Sequence, residues 1–143
     1  MSDTTSMTPD EIDAFLAAPR LAHFATVTAT GKPRVRPIWY LWRDGTFWLT
    51  TRAEARKPVR DLEHGSPWAS LSIASEDRPY SAVVATGRPE VLPKDEATLR
   101  DISFRYGEGP GRRWLAVAMR EPDRVVLKLI PASLSSWDYG KRG

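Results

Sequence analysis

Short apolar/polar alternations, broken at close intervals by turn residues, constrain this chain more than any other feature. "LAHFATVTA", then "TGK", then "PRVRPIWYLW", then "RDG", then "TFWLTT" read as three strands joined by tight turns. A helix needs apolar side chains every three to four residues, and this stretch has them every second residue. An antiparallel meander is the arrangement that such short connections allow. Pro37, inside the second run, predicts a bulge or an edge position, because proline cannot donate to an inner ladder.

The remaining elements follow from the same reading. Thr8-Pro9-Asp10-Glu11 is a helix start, with Thr8 as cap, Pro9 in the first helical position and Glu11 closing a capping box. That helix spans about 8–18 and stops before Pro19. Arg52 to Lys57 is a loop, and Pro58 to Glu63 a short helix opened by its proline. "WASLSIA" is a fourth strand and "YSAVVATGRPEVL" a long fifth, bent near Gly87 and Pro89. Lys94 to Tyr106 is an amphipathic helix, "GEGPG" ends it, and "RRWLAVAMR" is another short helix. "DRVVLKLIP" is the sixth strand, and a tail of about 132–143 closes the chain. The fold class is therefore mainly β with helical decoration: one domain over residues 1–143, a six-stranded antiparallel β-barrel whose closure protects strand edges.

Composition narrows the function. With 143 residues, 41% hydrophobic and 27% charged, the chain is globular and large enough for one core. Neither a membrane-spanning run nor a signal-peptide pattern is visible, and cysteine is absent, which fits a cytoplasmic protein. His23 and His64 are the only histidines, so a metal site is not expected. His23 reads as a partly buried strand residue and His64 as a helix C-terminal one. A formal net charge of +3 is too small for a dedicated nucleic-acid binder unless it is localised.

Localised it is. "TTRAEARKPVRDL" puts Arg52, Arg56, Lys57 and Arg60 around the start of a helix, with Thr50 and Thr51 at the end of the preceding strand. Exposed helix N–H groups attract anions, and guanidinium groups bind phosphate or carboxylate in a fork. The alternative is a solvated basic surface with Glu54 and Asp61 as ion-pair partners. Trp39, Trp42 and Trp48 are candidate pocket walls or ordinary packing aromatics. Tyr80 and Tyr106 are candidate proton donors.

"FLAAPRLAHFATVTATGKPRVRPIWYLWRDGTFWLTT", the basic loop, "LSIASEDRPYSAVVATGRPEVL" and "VVLKLIPASLSSWDY" together resemble the flavin- and deazaflavin-dependent oxidoreductases of the split β-barrel superfamily, which includes pyridoxamine 5′-phosphate oxidase. The meander and "SSWD" look most like the branch that uses the deazaflavin coenzyme F420. The resemblance implies a homodimer with cofactor sites at the subunit interface, and hydride transfer to a small organic substrate with an activated double bond. It makes Thr51, Arg52, Arg56, Lys57 and Arg60 contacts to the cofactor's phosphate or acidic tail. It sets Arg36, Pro37 and Ile38 beside the ring, and brings Trp137 near the ring or the facing subunit. Pro58 stands where the family's run has Lys, and Asp61 where it has Asn. An FMN-dependent oxidase or reductase, and a non-catalytic cofactor- or tetrapyrrole-binding protein, are the other readings. No catalytic side chain is nominated, because the coenzyme supplies the redox chemistry.

Overall fold

The computed structural model describes residues 4–141. Helix α1 (Pro9–Ala17) starts as expected: Thr8 Oγ1 accepts the Glu11 N–H at 3.2 Å, and the Glu11 carboxylate accepts the Thr8 N–H at 2.9 Å. Strands β1 (Ala22–Val27) and β2 (Pro33–Ile38) pair antiparallel, followed by β3 (Leu41–Arg43) and β4 (Thr46–Arg52). Asp44 and Gly45 join the last two at positive φ (53° and 71°), the left-handed pair that a tight hairpin requires.

All six expected runs form strands, and two of them divide at a corner. The second breaks at Trp39 and Tyr40, so that β2 and β3 enter different sheets. The fifth breaks at Arg88 and Pro89 into β6 (Ser81–Gly87) and β7 (Glu90–Pro93), while the fourth is β5 (Ala69–Ala74) and the sixth β8 (Arg124–Leu129). The tail adds β9 (Ser133–Asp138), which pairs with β6. The result is a five-stranded sheet, β2-β1-β5-β6-β9, and a four-stranded one, β3-β4-β8-β7. Strands that turn from one sheet into the other at such corners make a split antiparallel barrel. Pro37 is on an edge strand and exposed, as its missing N–H demands.

The inner faces meet through Phe24, Leu71, Ile73 and Val83 on one side and Phe47, Leu49, Leu127 and Leu129 on the other, all fully buried. Each such side chain contributes about 1.5–3 kcal/mol of transfer free energy. The outer face of the four-stranded sheet is covered by α3 (Glu96–Ser103) and α4 (Glu108–Ala118), which bury Leu99, Leu115 and Ala118 against Val126. "GEGPG" does not break the chain throughout, as expected from sequence. The break falls at Gly107 alone (φ +116°), and Glu108 to Gly111 already form the first turn of α4, where Pro110 loses no hydrogen bond. The basic loop leads into α2 (Pro58–His64). Among the described residues no helix is long and apolar enough to cross a membrane.

Candidate functional site

Alternation along β2 turns Pro33, Val35 and Pro37 outward and Arg34 and Arg36 toward the same side as their β1 partners, Thr26 and Phe24. Two guanidinium groups therefore stand at the open end of the barrel, and their surroundings differ. Asp61, buried on α2, accepts a hydrogen bond from Thr26 Oγ1 at 2.8 Å and pairs with Arg34 Nε at 3.4 Å. Asp61 thus neutralises Arg34 rather than the basic loop. Among the described residues Arg36 has no carboxylate within 4.0 Å, and its one side-chain hydrogen bond, to Thr26 Oγ1 at 3.5 Å, is at the limit of such a bond. Burial pushes the Arg36 pKa down from its ordinary value, with Asp61 opposing and Arg34 assisting the shift.

Arg36, Pro37 and Ile38 form one wall of a cleft of about 390 Å³. Thr50, Thr51 and Arg52, at the end of β4, and Arg56, from the loop, form the second. Glu121 and Arg124, where the chain enters β8, form the third. The volume is within the range of small-molecule sites. Ile38, Thr50 and Arg124 also border an adjoining hollow of about 120 Å³, whose other walls are Trp39 and Trp114. Trp39 stacks on Tyr106 (centroids 4.7 Å apart, planes 5° from parallel), and Arg124 sits 5.2 Å from the Trp114 ring centre. A charged end thus passes directly into a flat aromatic one.

Four arginines surround the cleft, and two are already paired. Arg52 Nε contacts Asp123 Oδ1 at 2.9 Å and Glu121 Oε2 at 2.9 Å, while Arg124 Nη2 meets Glu121 Oε1 at 2.7 Å. Asp123 Oδ2 also accepts the N–H groups of Glu54 (3.1 Å) and Ala55 (3.0 Å), fixing the loop. Burial raises the Asp123 pKa, but the Ala55 amide, the Arg52 guanidinium and the Glu54 amide outweigh it and hold the carboxyl at about 2. Arg56, like Arg36, has no ion pair among the described residues; the one hydrogen bond of its side chain, to the Ala55 carbonyl, is 3.5 Å long.

Seven of the ten residues nominated from sequence line this cleft; Lys57, Arg60 and Trp137 do not. Lys57 is exposed at the head of α2. Arg60 borders a separate cleft with Lys32, Arg34 and His64. Trp137 is on β9, at the opposite edge of the five-stranded sheet from β2. The expected helix N-terminus is not part of the site, since no residue of α2 lines the cleft, and the positive charge comes from side chains. Glu54 is exposed and forms no ion pair among the described residues; the loop's ion-pair partner is Asp123.

Other nominated groups have different tasks. The Tyr106 hydroxyl donates to the Arg20 carbonyl at 2.7 Å and accepts the Tyr40 N–H at 3.0 Å, so its proton is committed to the fold. Tyr80 is exposed beside Arg78, far from the cleft lining. His23, expected to be partly buried, is exposed on the outward side of β1. Trp42 donates to Asp13 at 2.8 Å, and Trp48 packs beneath the helices. Among the described residues no group of three His, Cys, Asp or Glu side chains could hold a metal ion. Glu121, Asp123 and Arg124 escaped the sequence reading. "EPDR" gains meaning only once Arg52 is known to lie opposite Arg124 in the β4–β8 ladder.

Two facing antiparallel sheets whose strands turn from one into the other at their corners define the split-barrel class. Within that class the chain belongs to the pyridoxamine 5′-phosphate oxidase family, which it matches over residues 8–138. Among solved structures it is similar to the conserved hypothetical protein Rv2991 from Mycobacterium tuberculosis (26% identity, all of this chain and 92% of that one, TM-score 0.81). It is also similar to an F420 reductase (25% identity, 86% and 94% covered, TM-score 0.70). The haem storage protein HutZ from Vibrio cholerae shares the fold (17% identity, 91% and 96% covered, TM-score 0.70). No curated protein matches the chain.

Proposed function

We propose that the protein is an oxidoreductase that uses the deazaflavin coenzyme F420 for hydride transfer to a small organic substrate with an activated double bond. The observation that carries this reading is the cleft's polarity: among the described residues Arg36 and Arg56 have no ion pair at one end, and Trp39 and Trp114 border the other. A ligand with an anionic group joined to a planar ring satisfies both ends. Arg36 and Arg56, with Thr51, hold its phosphate; Pro37, Ile38 and Trp39 flank its ring; exposed Lys57 and Arg60 are left for an acidic tail. When bound, the coenzyme supplies the hydride, and the chain's own part is to bind, orient and exclude water. The F420 reductase among its structural relatives supports the choice of coenzyme.

The same cleft suits FMN, and one observation favours it: Glu121 and Asp123 occupy Arg52 and Arg124, leaving two unpaired guanidinium groups, enough for a single phosphate. Titration of the purified protein with F420 and with FMN, followed by fluorescence, separates the two. F420 binding tighter than FMN supports the proposal. Tight FMN binding with none for F420 replaces it, and haem binding with neither moves the protein to the cofactor-storage reading.

The site is completed, on this proposal, by a second copy of the chain. The outward positions of β1, β2, β5, β6 and β9 carry Ala, Val, Ser, Thr and Pro together with His23 and Trp137, and no Lys, Arg, Asp or Glu. Charge depletion of that kind marks the centre of protein interfaces. Pro37 belongs both to this face and to the cleft, so a partner seated on the face reaches the ring end, with its own Trp137 on the shared surface.

A further inference from the structure

We infer that Glu121 is a specificity-determining residue of the cleft, a built-in counter-ion that limits how much negative charge the site accepts. This extends the proposed function, because it rests on the same cleft being the anion site. The observations concern the wall opposite Arg36. Glu121 lines the cleft itself, and its two carboxylate oxygens are divided between Arg52 (2.9 Å) and Arg124 (2.7 Å). Its side chain is 16% exposed and that of Arg124 11%, so solvent screens their pairing little. Asp123, whose side chain is 7% exposed, shares the Arg52 Nε with Glu121, at 2.9 Å.

A purely structural counter-ion would turn away from the cavity. Asp61 pairs with Arg34 outside this cleft, and Asp123 is spent on the loop amides. Glu121 instead presents a carboxylate to the space where an anion would sit, and a ligand phosphate must compete with it for Arg52 and Arg124. Four guanidinium groups against the two carboxylates Glu121 and Asp123 leave a surplus of two positive charges, matching one phosphate dianion. Without the Glu121 charge, Arg52 and Arg124 would turn part of their hydrogen bonding to the ligand, and the cleft would prefer a more highly charged one.

The prediction has a sign that a scaffolding role cannot imitate. Thermal unfolding of wild type and Glu121→Gln is followed against inorganic phosphate and inorganic pyrophosphate. Without anion the Gln variant melts lower, because Arg124 has lost its charged partner. With anion it gains more than wild type: phosphate binds about tenfold tighter, as expected when one charged competitor for two guanidinium groups is removed. Pyrophosphate gains more than phosphate. Glu121→Asp, which keeps the charge, stays within a few-fold of wild type. If the Gln variant does not fold, Glu121→Ser removes the same charge and carries the same expectation. Phosphate affinity unchanged or weakened in the charge-free variant overturns the inference. If phosphate affinity rises while neither FMN nor F420 binds any form of the protein, the coenzyme reading fails and the role of Glu121 stands.

Discussion

Of the places where this barrel brings arginine near aromatic rings, the corner at Tyr40 and the cleft differ most in what remains unsatisfied. At the corner between the sheets, Arg105 lies 4.8 Å from the Tyr40 ring centre and donates to the carbonyls of Leu16, Ala17 and Ala18, with a further bond to the Tyr40 carbonyl. The Tyr40 hydroxyl donates to Leu16 and Ala18 (3.1 and 3.0 Å). The carbonyls of Leu16, Ala17 and Ala18, at the C-terminal end of α1 where a helix leaves such groups without internal partners, are thereby taken up by distant side chains. At the cleft, Arg36 and Arg56 have a single 3.5 Å contact each. The same residue types make a structural knot where the fold supplies the partners and a receptive site where it withholds them.

Arg105→Ala is the harshest way to break the comparison. It removes a charged donor from several carbonyls and a cation from two rings, and costs about 3 kcal/mol of stability, or roughly 10 °C in Tm. Affinity of the folded protein for anions stays as it was. A loss below about 1 kcal/mol, within the range of an ordinary surface substitution, would mean that the knot is not structural in the sense argued.

Acid sharpens the comparison with a smaller effect. Glu11, hydrogen-bonded by Lys141 and by the Thr8 amide, has its pKa lowered from an ordinary 4.5 to about 2. Asp123 is lowered from 3.8 to about 2 despite burial, through the loop amides and Arg52. Both folded pKa values lie below the unfolded ones, so both contributions are present above the ordinary carboxyl range and disappear as pH falls through about 2. Melting curves of wild type, Glu11→Gln and Asp123→Asn separate at neutral pH and converge between 4.5 and 2. Only the Asp123 variant also changes anion affinity, because it alone alters the loop and the Arg52 pairing. Curves that remain apart at the acid end would contradict the charge-based explanation.

What could be read in advance was local. The capping box of Thr8 and Glu11, the Asp44-Gly45 hairpin, the edge position of Pro37 and the crowding of Arg52 and Arg56 all depend on neighbours a few residues away. The bend near Pro89 was legible from its glycine and proline, but the corner at Tyr40 was hidden, because a continuous apolar run does not say where it leaves one sheet for another. Arg105 meets α1 across 87 to 89 residues, and Asp123 meets Arg52 across 71. Such pairings exist only after the sheets have formed, so nothing next to Glu121 and Arg124 in the chain marked them as site residues. Counting positive charges in the loop overstated the site for the same reason: the carboxylates that cancel them come from far along the chain.

The decisive measurement is a fluorescence titration of wild type, Arg36→Ala/Arg56→Ala and Lys57→Ala with whichever of F420 and FMN the wild type binds. The double variant should fold with a near-normal Tm and bind at least about tenfold more weakly, each charge-assisted bond being worth about 1.5–3 kcal/mol. Lys57→Ala, outside the cleft, should shift the affinity less than threefold. Undiminished binding by the double variant, or a larger loss at Lys57 than at the two arginines, would show that the anion is held elsewhere.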